Sequence, residues 1–166
     1  MENLYKELRS FFANDIDLTD LFDSEAIIWI DWREYDEDVV NYFNDMMDEP
    51  IDIKTVSNGK PYGDDIVLKK GDKELQIPYG DEQDRDVTIK YFNDFVQPDY
   101  EVRWFAESLG NDTLGFTVLS GAEWANLEDE FGADTVRYYF EPINLESNMF
   151  NLGTDEVFAL LALRES

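Results

Sequence analysis

The sequence predicts an α+β fold, one domain over residues 1–166, with a mostly antiparallel sheet and helices packed on it. Three observations lead there. From residue 100 onward, apolar and polar residues alternate on both sides of a Gly-Asn-Asp turn, as in a hairpin. Earlier stretches repeat their apolar residues at spacings of three and four, as amphipathic helices do. A chain of 166 residues, 43% apolar and 15% aromatic, can bury one core and is short for two. No low-complexity linker or internal repeat interrupts it.

Taken in order, Leu4, Leu8, Phe11 and Phe12 fall on one face of a helix over residues 2–13. Asp17 or Thr19 is placed to cap a short second helix that ends near Phe22. Asp15, Asp17 and Asp20 loosely match a calcium loop, but its Gly and distal Glu are missing, so capping and solvation explain them. Ile27-Ile28-Trp29-Ile30 reads as a buried strand. The helix after it carries Val39, Val40, Tyr42, Phe43, Met46 and Met47 on one stripe, and Pro50 closes it. Ile51, Ile53 and Val56 alternate as a strand, and residues 57–63 are turn-rich.

Residues 64–70 and 73–79 form a hairpin across Lys70-Gly71-Asp72. Asp84 or Asp86 begins a helix that turns Val87, Tyr91, Phe92, Phe95 and Val96 inward, and Pro98 ends it. Tyr100, Val102, Trp104 and Ala106 then pair across residues 110–112 with Leu114, Phe116 and Val118. Ser120-Gly121-Ala122-Glu123 is a capping box ahead of Trp124, Leu127 and Phe131, with Gly132 as the C-terminal cap. Val136, Tyr139 and Phe140 continue in helical spacing before Pro142. The apolar run Val157 to Leu163 is expected to be a final, central strand.

Charge narrows the function. The chain holds 39 acids and 13 bases, a net charge of −26, which opposes compaction through self-repulsion. Halophilic adaptation would spread such charge evenly. Here residues 1–53 hold 16 acids and 3 bases, residues 54–99 hold 10 and 7, and residues 100–166 hold 13 and 3. A face built from the two ends is therefore far more negative than the middle.

Two absences prune the chemistry. Without Cys there is no disulfide, thiolate nucleophile, zinc–cysteine site or iron–sulfur cluster. Without His there is no imidazole base, histidine metal site or Ser-His-Asp triad. MENLYKELRSFF lacks the pattern of a secretion signal, and no apolar run approaches membrane-spanning length, so a cytoplasmic location is expected. Asn111-Asp112-Thr113 then marks a turn rather than a glycosylation acceptor. No glycine pattern cradles a phosphate. A strongly negative chain repels nucleic acid, and Trp29, Trp104, Trp124, Phe116 and Phe131 sit at core spacing rather than beside a basic groove.

Paired carboxylates are the one catalytic chemistry left, at Asp36/Glu37/Asp38, Asp64/Asp65 and Glu128/Asp129/Glu130. Among 39 acids such neighbours arise by chance, and nothing selects one pair. No enzyme activity, cofactor or metal is expected. Recognition by charge remains. Carboxylates three and four apart on a helix lie about 5–6 Å from one another, near the roughly 6–7 Å between successive phosphates. An acidic helix face can thus occupy a basic groove on a toxin or a nucleic-acid enzyme. The candidate partner-binding residues are Asp31, Trp32, Glu34, Tyr35, Asp36, Glu37, Asp38, Asp45, Asp48 and Glu49, with Trp32 and Tyr35 as aromatic hot spots.

The passage Tyr100 to Phe140, with Ser108-Leu109-Gly110-Asn111-Asp112-Thr113-Leu114-Gly115-Phe116 followed by Glu123-Trp124, covers about a quarter of the chain. Together with the size, the acidity and the absence of Cys and His, it resembles the small acidic immunity proteins of bacterial polymorphic toxin systems. That resemblance implies an inhibitor that neutralises a basic toxin such as a nuclease, and it carries over no individual residue. The alternative from charge is a phage or mobile-element DNA mimic that blocks a DNA-binding enzyme. A mimic calls for an evenly spaced track of acids, whereas Asp36–Asp38 and Glu128–Glu130 are clusters near Trp32, Tyr35 and Trp124.

Overall fold

The computed structural model describes residues 2–31, 35–57, 59, 64–78, 85–108, 113–145, 149, 155, 157–159 and 162. The helices are α1 (Glu2–Phe12), α2 (Leu18–Phe22), α3 (Asp36–Met46), α4 (Arg85–Val96), α5 (Gly121–Phe131) and α6 (Ala133–Tyr139). The strands are β1 (Ile28–Asp31), β2 (Asp52–Ser57), β3 (Asp64–Lys70), β4 (Lys73–Gln76), β5 (Tyr100–Phe105), β6 (Thr113–Ser120) and β7 (Phe140–Pro142). They form a four-stranded sheet in the order β1-β6-β5-β7 and a three-stranded sheet in the order β2-β3-β4. Every pairing is antiparallel. The fold is α+β, as the alternation and helical spacing predict.

The four-stranded sheet is the middle layer because its strands are apolar on both faces. Ile30, Val102, Trp104, Leu114, Phe116 and Val118 point into one core, where α3, α4 and the smaller sheet cover them through Phe43, Phe92, Ile66 and Leu68. Ile27, Phe105 and Leu119 point the other way, against Leu8, Leu21, Trp124, Leu127 and Val136 of α1, α2, α5 and α6. The residues between 113 and 120 are buried throughout. Gly115 fits this crowding. A Cβ there would come within 2.7 Å of the Ile27 side chain and 3.3 Å of the Phe105 ring.

Two polar side chains inside the layers, Asn93 and Ser108, are matched on every side that the packing presents. Asn93 of α4 donates to the Ile143 carbonyl and accepts from the Val102 amide, which ties helix to strand. The Ser108 hydroxyl accepts from Trp104 Nε1 and the Gly115 amide while donating to the Phe105 carbonyl. Capping follows expectation. Asp17 and Asp20 form a capping box on α2, Ser120 and Glu123 form one on α5, and Gly132 ends α5 at φ +95°.

Several expectations need correction. The described residues of the apolar run expected as a strand, Val157, Phe158, Ala159 and Ala162, are helical, as is Asp155 before them, and Phe158 is 65% exposed. Periodicity cannot separate a short apolar strand from a helix, and Ala and Leu favour the helix. The edge of the main sheet is supplied instead by Phe140–Pro142, read from sequence as more helix. Pro142 suits an edge, where its missing N–H breaks no ladder. Tyr42 was placed on the apolar stripe but is 39% exposed. The expected turns at 58–63 and 110–112 lie outside the described residues, apart from Gly59, and so does Asp84.

Candidate protein-docking surface

Helix α3 is anchored by hydrogen bonds at its C-terminal end. At its start, Tyr35 is the N-cap in extended backbone conformation, with no hydrogen bond from its own side chain. Three acids in the first turn, Asp36, Glu37 and Asp38, oppose the positive end of the helix dipole. At its end, Asn44 closes the turn through Pro50 by accepting from the Ile51 amide at 2.8 Å and donating to the Ile51 carbonyl at 2.9 Å. The Glu49 amide donates to the Tyr100 hydroxyl at 3.0 Å. One face packs inward through Val39, Val40 and Phe43, whose ring lies 5.5 Å from Phe92 and 6.0 Å from Phe116.

The opposite face carries Glu37, Asp38, Asn41, Tyr42 and Asp45, all exposed, and Asp48 and Glu49 continue it beyond the last turn. Tyr35 stands at the other end, 77% exposed. Near the far end sits a basic group: Lys70 bonds Asp99 at 3.0 Å, which raises its pKa, and the nearby Glu49 adds to that effect.

Of the ten residues read from sequence, the structure gathers Tyr35, Glu37, Asp38, Asp45, Asp48 and Glu49 on this exposed surface. Trp32 and Glu34 lie outside the described residues. Asp31 is half-buried at the end of β1, opposite Thr113. Asp36 is a correction. It is fully buried and cannot meet a partner. The signal was there to be found, because Asp36 precedes Val39, Val40 and Phe43 by three, four and seven, which sets it on the apolar stripe. Tyr42, missed from the candidate set for the converse reason, belongs to the surface.

The second acid cluster has other duties. Arg103 is buried on the α5 side of β5, its guanidinium 4.5 Å from the Trp124 ring centre. It donates to Glu101 at 2.6 Å and to Glu128 at 2.8 Å, and Arg137 reaches Glu128 at 3.4 Å. Burial pushes the Glu128 carboxyl up, but the hydrogen bond and charge of Arg103, reinforced by Arg137, outweigh it and hold its pKa below the usual glutamate value. Glu130 is clasped by Arg9 at 2.7 Å, and that hydrogen bond lowers its pKa. Trp124 is 1% exposed and cannot anchor a partner. Asp129 and Glu130 of that triplet face solvent, Glu130 while paired to Arg9.

Among the described residues, no three carboxylates converge to hold a metal ion. Two open hollows lie elsewhere, of about 280 Å³ beside Lys90, Asn93 and Gln97 and of about 380 Å³ beside Lys6, Glu7, Ser10, Asp20 and Ser24. No described helix is long and apolar enough to cross a membrane. Comparison with protein-family models, curated proteins and solved structures finds no match to the chain.

Proposed function

We propose that the protein is an inhibitor that docks on a basic protein through the outer face of α3, as an immunity protein does on a toxic nuclease in the cytoplasm. One observation carries this reading: exposed carboxylates at Glu37, Asp38, Asp45, Asp48 and Glu49 accompany exposed tyrosines on a helix fastened at its C-terminal end. Rigid acids steer a basic partner and raise the association rate, and aromatic rings supply contact area at little entropic cost. The exposed acids flank Tyr42 rather than running as an even track, which favours one partner over mimicry of DNA.

The test uses the protein encoded by the neighbouring gene. Glu37→Lys, Asp38→Lys and Asp45→Lys together should slow association about tenfold or more and weaken its salt dependence. Asp129→Lys with Asp134→Lys, on another surface, should change it far less. Unchanged association after the α3 reversal sinks the docking site. Equal inhibition of several unrelated DNA-binding enzymes, each in competition with DNA, would make the chain a DNA mimic instead.

A further inference from the structure

The acids of α3 are not spread around an empty surface. Asp38 precedes Tyr42 by one turn and Asp45 follows it by one turn, so two exposed carboxylates bracket an exposed ring. The chain itself contains a finished version of this arrangement. Arg103 lies over the Trp124 ring with its guanidinium shared between Glu101 and Glu128. A guanidinium suits such a place because it is planar, weakly hydrated and forked. It can stack on a ring while its edge donates to a carboxylate on either side. A lysine ammonium is compact and strongly hydrated, and gains less from the ring.

We infer that the outer face of α3 selects arginine over lysine, docking an arginine-rich segment of its basic partner with a guanidinium on Tyr42 between Asp38 and Asp45. The inference rests on the proposed docking function and names the chemistry that the partner must present. The occupant follows from charge complementarity: α3 itself holds four acids and no base, and Asp48 and Glu49 follow it. Asn41, on the same turn, adds an amide that accepts from a guanidinium edge. Tyr35, at the helix start, offers a second ring toward a neighbouring arginine.

The experiment titrates the full chain with a hexa-arginine peptide and with a hexa-lysine peptide in about 0.1 M salt, where weak long-range attraction is screened. Arginine should bind about two- to fivefold tighter than lysine, the gain expected of an exposed cation–π contact. Tyr42→Phe should keep that preference and Tyr42→Leu should remove it, with thermal melts showing both variants folded. Equal affinity for the two peptides, or a preference that survives Tyr42→Leu, overturns the inference. Asp38→Asn with Asp45→Asn separates this failure from that of the docking reading. If the pair weakens both peptides while no arginine preference exists, α3 docks cations without selecting arginine. If only Asp129→Asn with Asp134→Asn weakens binding, α3 is not the docking surface at all.

Discussion

Two triplets of acids look alike in the sequence: Asp36-Glu37-Asp38 opens α3, and Glu128-Asp129-Glu130 closes α5. Their fates diverge. On α5, Glu128 holds two arginines and Glu130 a third, so the acids tie α1, α5, α6 and β5 together. On α3, Asp36 is buried, while Glu37 and Asp38 face solvent. The difference lies in what each helix packs against. The α5 side of the sheet supplies Arg103, and the α3 side supplies Phe92 and Phe116. Local acidity alone therefore does not separate an exposed surface from an ion-paired cluster.

The comparison can be broken hardest at Arg103. Arg103→Ala removes the stacked cation and leaves Glu101 and Glu128 facing each other, half-sheltered; urea denaturation should report a loss of about 3 kcal/mol or more. A loss under 1 kcal/mol would mean that the α5 acids are as superficial as those of α3. Gly115→Ala probes the same side by packing. The added methyl meets Ile27 and Phe105, and should cost about 1–3 kcal/mol by overpacking.

Acid should then separate the triplets by pH. Glu128 has a folded pKa held below the usual glutamate value, so its contribution is fully present above that usual value and is lost as pH falls through the lower folded one. Stability measured between pH 5 and 2 should therefore decline less steeply in Glu128→Gln than in the parent. An unchanged slope contradicts the role given to Arg103 and Arg137. Ser120→Ala removes one half of the capping box that starts α5, and should cost about 1 kcal/mol in a thermal melt. Smallest of all, Glu37→Gln with Asp38→Asn should cost only about 0.5–1 kcal/mol, since both side chains are exposed and act on the helix dipole alone.

Much of this was legible in the sequence. The hairpin of β5 and β6, the capping box of α5 and the core tryptophans follow from alternation, from Ser120 with Glu123, and from spacing. What failed did so where one-dimensional pattern is degenerate. Val157–Leu163 is apolar without a period, so strand and helix were equally written there. Phe140–Pro142 is three residues long, and its pairing with Arg103–Phe105 is a long-range fact. In the candidate site, acidity alone admitted Asp36, although its spacing to Val39, Val40 and Phe43 marked it as inward. Tyr42 was excluded by hydrophobicity, although it lies at the margin of the stripe, where a phenol reaches water.

The claim at the centre is that α3 docks a cationic partner and the α5 acids do not. Amide chemical-shift mapping of the full chain, titrated with a hexa-arginine peptide, tests it directly. The shifts should concentrate at Tyr35, Glu37, Asp38, Asn41, Tyr42 and Asp45, with Glu128 and Glu130 quiet behind their arginines. Shifts spread evenly over every exposed acid, or centred on residues 128–130, would contradict it.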